Sequence, residues 1–325
     1  MTAGAGAQRR SQWLRVLAVA VIFVVFIGAV DWAAGGAFLR LGNVRTVLQQ
    51  ITYNFILAIG ETFVIITAGI DLSIGSLVSL CGVVMAIVAN DLHLGGFALI
   101  VITLLCGIAV GSAAGYVNAL PVVKLNLPPF ITTLAMMQIA LGASYILSAG
   151  RPVPLLTPAF ANVGTGYVLG VPVPVLWMLA VGILSWILLG KTRFGRYVIA
   201  IGGNEEASRL AGIDVAKMKT LAYVISGGCA AIVGFLYLAL FSSGSPQTGT
   251  GNEMLGAIAA VVVGGTSLMG GRGTIVGTFF GALLIGSLNN AMNLLDINSY
   301  LQMVVLGAVI LAAVTLDELR KRYLR

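Results

Sequence analysis

The chain has 325 residues, of which 59% are hydrophobic and only 9% charged; a soluble globular domain carries about a quarter charged residues, so a soluble fold is excluded. Mean hydropathy is +1.03, and long apolar runs follow one another, the pattern of an all-α polytopic membrane protein. The net charge of +7 does not point to nucleic acid, because the basic residues sit at the ends of apolar runs with no basic face and no interleaved aromatics.

Residues 1–15 are small and polar, with Arg9, Arg10 and Arg15, and Val16–Val30 is apolar. No A-x-A cleavage pattern follows, so this reads as a first, uncleaved helix. Further spans read as 51–69, 72–90, 96–118, 130–149, 172–190, 219–241, 254–268, 274–293 and 299–316, ten helices in one membrane domain, residues 1–325. The links carry turn chemistry: Asn90-Asp91, Pro128-Pro129, Arg151 to Pro154, and Gly270 to Gly273.

The second span places Asn54, Ala58, Glu61, Ile65 and Ala68 on one helical face. A charge there costs at least ~2.5 kcal/mol on insertion scales, so Glu61 should face the bundle interior or be protonated. It has either a pathway or gating role or a buried structural hydrogen bond. Asp71 and Ser73 lie where the second and third spans meet with almost no loop. Asp71 either caps the third helix, accepting from the Ser73 and Ile74 amides, or marks a break lining a polar cavity. Other uncharged polar groups inside spans, Asn118, Gln138, Asn289, Asn290 and Asn293, are candidates for the route of a neutral polar solute. Asn289 and Asn293, and Gln138 and Tyr145, are spaced to share a helix face.

Gly107-x3-Gly111-x3-Gly115 with Asn118 in the fourth span resembles Gly273-x3-Gly277-x3-Gly281 with Asn289 in the ninth. An offset of five helices predicts an inverted repeat, and glycines four apart let another backbone approach closely.

The longest stretch able to sit in water is 191–219, holding six of the eighteen Lys and Arg residues. Inside it a short helix has readable ends: Asn204 as N-cap, Glu205 and Glu206 in the first turn, Arg209 later, and Gly212 closing it. Ala207, Leu210 and Ala211 give it a small apolar face, the form of a docking element for a cytosolic protein. With the N-terminus inside, fifteen basic residues fall inside and only Arg40, Arg45 and Arg151 outside. The positive-inside rule therefore places both termini and 191–219 in the cytoplasm.

Gly190-Lys191-Thr192 is not a phosphate loop, because Ser185 stands where its first glycine belongs and Trp186 to Leu189 are too bulky. Nor does Gly271-Arg272-Gly273 open a dinucleotide fold, since a membrane helix follows it. Cys81, Cys106 and Cys229 lie in apolar runs at no metal or redox spacing. His93 is the one histidine, which leaves no nucleophile–base pair for an intramembrane enzyme. The chain thus reads as a transporter without an ATP site or metal of its own, either driven by a partner or coupled to an ion gradient through Glu61 or Asp71.

GIDLSIGS at 69–76, GGNEEASRLAGIDV at 202–215 and VVGGTSLMGGRGTIVGTFFGALLIG at 262–286 resemble, in that order, the permease subunits of bacterial ABC importers for ribose and related monosaccharides. The resemblance covers about residues 40–316. It implies a multi-pass protein of the bacterial inner membrane, a homodimer or paired permease, a periplasmic sugar-binding protein, and a cytosolic ATPase that holds ATP and Mg. It also implies that Asn204 to Gly212 meets that ATPase. Family members carry nucleosides as well, and the branched-chain amino acid permeases are more distant and lack GIDLSIGS.

Overall fold

The computed structural model describes residues 21 and 23–323, apart from 93 and 252. Arg9, Arg10, Arg15, His93, Arg325 and the start of the first expected span lie outside the described residues, as do the side chains of Arg320, Lys321 and Arg322. The helices in chain order are α1 (Phe23–Ala33), α2 (Leu41–Ile66), α3 (Ile74–Asp91), α4 (Gly96–Lys124), α5 (Pro129–Leu147), α6 (Ala161–Thr165), α7 (Val173–Lys191), α8 (Arg193–Gly203), α9 (Glu205–Leu210), α10 (Val215–Phe241), α11 (Glu253–Val263), α12 (Ile275–Leu294) and α13 (Ser299–Tyr323). A helix stands at the position of every expected span, and six of them, α3, α4, α5, α7, α10 and α12, are long and apolar enough to cross a membrane. The protein is a multi-pass membrane protein.

The expectation of an all-helical chain needs one correction. Residues 151–172 form a small cap containing two-residue strands. β1 (Val153–Pro154) pairs antiparallel with β4 (Ser243–Gly244), and β2 (Tyr167–Val168) pairs with β3 (Val171–Pro172). Prolines and Gly170 (φ +80°) stop helix formation there and turn the chain back on itself.

The bundle is built around α2. Every residue from Ile51 to Ile66 except Asn54 is buried, against α7, α10, α11 and α12. A helix screened from lipid on all sides need not be uniformly apolar, which is why this one tolerates Thr52, Asn54, Glu61 and Thr62. Its hydroxyls are satisfied: Thr62 Oγ1 donates to the Ala58 carbonyl at 2.7 Å and lies 2.8 Å from Thr278 Oγ1 of α12.

α4 and α12 pack through their glycines. A methyl added at Gly111 would overlap the Gly227 carbonyl of α10, and one at Gly115 the Tyr223 carbonyl. On α12, Gly277 and Gly281 sit against the Gly264 and Ala260 carbonyls. The two seams match in spacing but not in partner, α4 meeting α10 while α12 meets α11.

The links separate into two ends. At one end, Gly271 N–H donates to the Ile66 carbonyl at 2.9 Å and Val122 and Asn126 share a cavity wall with Glu205 and Lys219. At the other, Asn90 donates to the Pro154 carbonyl at 2.8 Å, Asn43 to Asn290 at 2.9 Å, and the Arg45 guanidinium lies 5.8 Å above the Tyr167 ring.

Gly111→Ala and Gly281→Ala should each destabilise the detergent-solubilised protein by about 1–3 kcal/mol, the usual penalty of overpacking. Gly142, with nothing within 4 Å of an added methyl, should accept alanine without loss. Thermal unfolding checks this, and an unchanged midpoint for Gly111→Ala would rule out the α4–α10 contact.

Candidate functional site

The segment 191–219 is more structured than its polarity suggests. Thr192 caps α8 by accepting from the Gly195 amide at 3.3 Å, and Val198 and Ile201 bury the inner face of α8. Asn204 ends α8 and caps α9, its Oδ1 accepting from the Ala207 amide at 2.9 Å. Gly212, at φ +81°, closes α9 with Ile213 N–H donating to the Ser208 carbonyl at 3.0 Å, a helix stop that favours glycine. The caps are as the sequence implies, although the helix is six residues long.

Glu205 is paired within the protein: Lys219 of α10 donates to it at 2.5 Å and Arg209 at 3.1 Å. It fastens α9 to the bundle. Glu206, Ala207, Arg209, Ala211 and Gly212 remain exposed, and Leu210 is 85% exposed, so the face left open is apolar at its centre and charged at its rim.

Directly before Asn204 the chain is clamped. A methyl at Gly202 would overlap both the Ile66 carbonyl and the Gly271 amide. Gly270 and Gly271, at φ +82° and +72°, come within 3.0 Å of Gly202 and Gly203 when a methyl is built on them. Three backbones therefore meet without side chains: the end of α8, the end of α2, and the turn between α11 and α12. Gly203 beside them has open space.

The end of α2 leads at once to Asp71, buried completely. Its Oδ1 accepts from the Ser73 amide at 3.0 Å, Ser73 Oγ at 2.5 Å and Asn118 Nδ2 of α4 at 3.2 Å, and its Oδ2 accepts from Ser226 Oγ of α10 at 2.8 Å. Ser73, not Asp71, is the cap residue of α3, and Ile74 does not donate to it. Asp71 therefore ties a helix break to two neighbouring helices. Glu61, also fully buried, has no hydrogen-bond partner among the described residues for either carboxyl oxygen, and the Tyr223 hydroxyl nearby has none among them either.

A second break lies between α10 and α11. Residues 242–251 run alongside α3: Ser79 Oγ donates to the Thr248 carbonyl, and Gly75 and Gly249 touch backbone to backbone. α11 begins only at Glu253, one turn before Gly256, where a methyl would lie 2.5 Å from Asn54 Nδ2. Asn54 is the thirteenth position beyond Leu41 in a helix of 26 residues, so α11 starts near the middle of α2. Irregular backbone at that depth is tolerated where protein buries it or where it lines a cavity. A cavity of about 140 Å³ does lie there, lined by Gly75, Ser76, Met137, Leu141, Gly249 to Gly251 and Met254, with Leu72. It offers hydroxyls, carbonyls and apolar walls with no charge.

The family described as the branched-chain amino acid transport system, permease component, matches residues 43–314. The chain belongs to this permease family. It is 44% identical to the ribose import permease protein of Haemophilus influenzae over 284 residues, 86% of each chain. It is 43% identical to that of Escherichia coli over 310 residues, 94% of each, and 37% identical to the D-allose transport system permease of Escherichia coli over 282 residues, 87% of this chain and 85% of the relative. No solved structure matches the chain.

Within this permease the predicted polar residues divide. Asp71, Ser73 and Asn118 come together. Asn290 bonds Asn43, and Asn293 accepts from Gln302 of α13 at 2.8 Å; both lie at the far end, away from the Asp71 cluster. Asn289 is half-buried, and Gln138 and Tyr145 are exposed on α5. Ser76, Ser79, Thr250 and Glu253 went unnoticed in the sequence. The signal was Ser242 to Gly251, ten turn-forming residues interrupting apolar sequence.

Removing Asp71 leaves the donors of Ser73, Asn118 and Ser226 unmatched, so Asp71→Ala should cost at least about 3 kcal/mol in stability. Glu61→Gln keeps the shape of a side chain without a hydrogen-bond partner among the described residues and should change it by less than about 1 kcal/mol. Thermal unfolding of both variants in one detergent makes the comparison, and equal loss would refute the assignment of Asp71 as the tie.

Proposed function

We propose that the chain is the membrane-spanning subunit of an ABC importer for a ribose-like monosaccharide. One observation carries this reading: a capped helix, fastened from below by Glu205–Lys219, that leaves Leu210 and its charged rim uncovered. Relatives named for ribose, D-allose and L-arabinose transport support the sugar. The partner on α9 is a cytosolic ATPase, which holds the ATP and Mg; a periplasmic binding protein delivers the sugar at the other end.

The chain forms one membrane domain of ten crossings in the bacterial inner membrane, with both termini cytoplasmic. Contacts support an inverted repeat, since α10 packs on α3 and α4 as α2 packs on α11 and α12. Gln138 exposed on α5 supports a second copy across that face, because a lone amide facing lipid is costly. The sugar passes the uncharged cavity at Ser76 and Gly249 to Gly251, whose hydroxyl and carbonyl groups suit a neutral polyol. Glu61, buried without a hydrogen-bond partner among the described residues, is the observation behind a second reading, ion-coupled transport.

A Val153→Cys protein should react with an impermeant reagent from outside the cell, and cysteines in 204–212 should not. Glu206→Lys should lower ATPase-subunit binding by at least about tenfold, an effect of reversed rim charge. Gly202→Ala should keep that binding yet cut sugar uptake per ATP hydrolysed, while Gly203→Ala leaves both unchanged. Proteoliposome uptake driven by a pH gradient with no ATPase subunit would overturn the importer reading.

A further inference from the structure

Where α7 ends and α10 begins, on the end of the bundle that carries α9, a groove of about 330 Å³ is lined by Leu188, Arg193, Phe194, Tyr197, Met218, Leu221 and Ile225. Six of these seven are apolar or aromatic. Ile225 lies ten residues into α10, about 15 Å along a helix, so the groove reaches from the helix ends into the depth of the apolar spans. Protein does not close it, since Tyr197 and Leu221 stay 37% and 36% exposed.

Arg193 is the one charged group in the lining, and no carboxylate answers it: the two ion pairs among the described residues both use Glu205. Arg196 follows one turn later on the exposed side of α8, while Lys191 Nζ lies 5.6 Å above the Trp186 ring, which lines a different groove. Residues 191–203 contain no acid.

We propose that this groove is a binding site for an anionic phospholipid, with an acyl chain along Phe194, Met218, Leu221 and Ile225 and the phosphate on Arg193. A neutral lipid fills the groove but leaves the cations unpaired, and a soluble phosphate pairs the cations but leaves the groove empty. An amphiphile with a negative head meets both conditions, as basic pockets between helices at a cytoplasmic surface do. The site rests on the membrane placement of the chain and not on its substrate. Because α8 runs straight into Gly202, the lipid would brace the segment that leads to α9.

The test adds dioleoyl-phosphatidylglycerol, dioleoyl-phosphatidylcholine or inorganic phosphate to the full chain in detergent, reading retained lipid by native mass spectrometry and the unfolding midpoint. Phosphatidylglycerol should be retained at one molecule per chain and should raise the midpoint, whereas the other two should do neither. Arg193→Gln should weaken retention by about fivefold, the effect of one interfacial cation, and Leu221→Trp, which fills the groove, should abolish it. Lys217→Gln, exposed at the same end but outside the groove, should change nothing. Equal retention of the two lipids, a preference that survives Arg193→Gln, or the same midpoint shift with phosphate alone would each overturn the proposal.

Discussion

Asp71 accepts four hydrogen bonds at the point where the chain leaves α2, and much of the bundle depends on that. Backbone that leaves a helix inside a membrane exposes donors and acceptors that no lipid can satisfy. Here Thr133 donates to the Ile70 carbonyl and Gly271 to that of Ile66, while the Asp71 carboxylate gathers the remaining donors from Ser73, α4 and α10. The break is thereby satisfied by protein groups in place of helix hydrogen bonds.

The same requirement explains the glycines. Three backbones can meet at Gly202, Ile66 and Gly271 only because no side chain stands between them. The 191–219 segment thus meets the central helix through main chain at Gly202 and through the Phe194 ring against Phe63.

Part of this was legible in the sequence. Helix positions followed from apolar runs, the ends of α9 from Asn204 and Gly212, and close packing from glycines four apart. What was hidden depends on distant neighbours. The Asp71 partners Asn118 and Ser226 lie 47 and 155 positions away, and Lys219 reaches Glu205 across 14. Local spacing makes Asp71 look like a simple cap and shows nothing of the Lys219–Glu205 pair. The α8 helix was missed because its apolar positions, Val198 and Ile201, sit between arginines and glycines and read as solvated loop.

The strand pair has a consequence for assembly. Val153 pairs with Gly244, so the cap cannot close until about ninety further residues have been made. At ordinary synthesis rates that delay is on the order of ten seconds, during which the edge of β1 waits for α7 and α10 to insert. The end of the bundle that carries the cap is therefore completed late, by a strand that arrives from the other half of the chain.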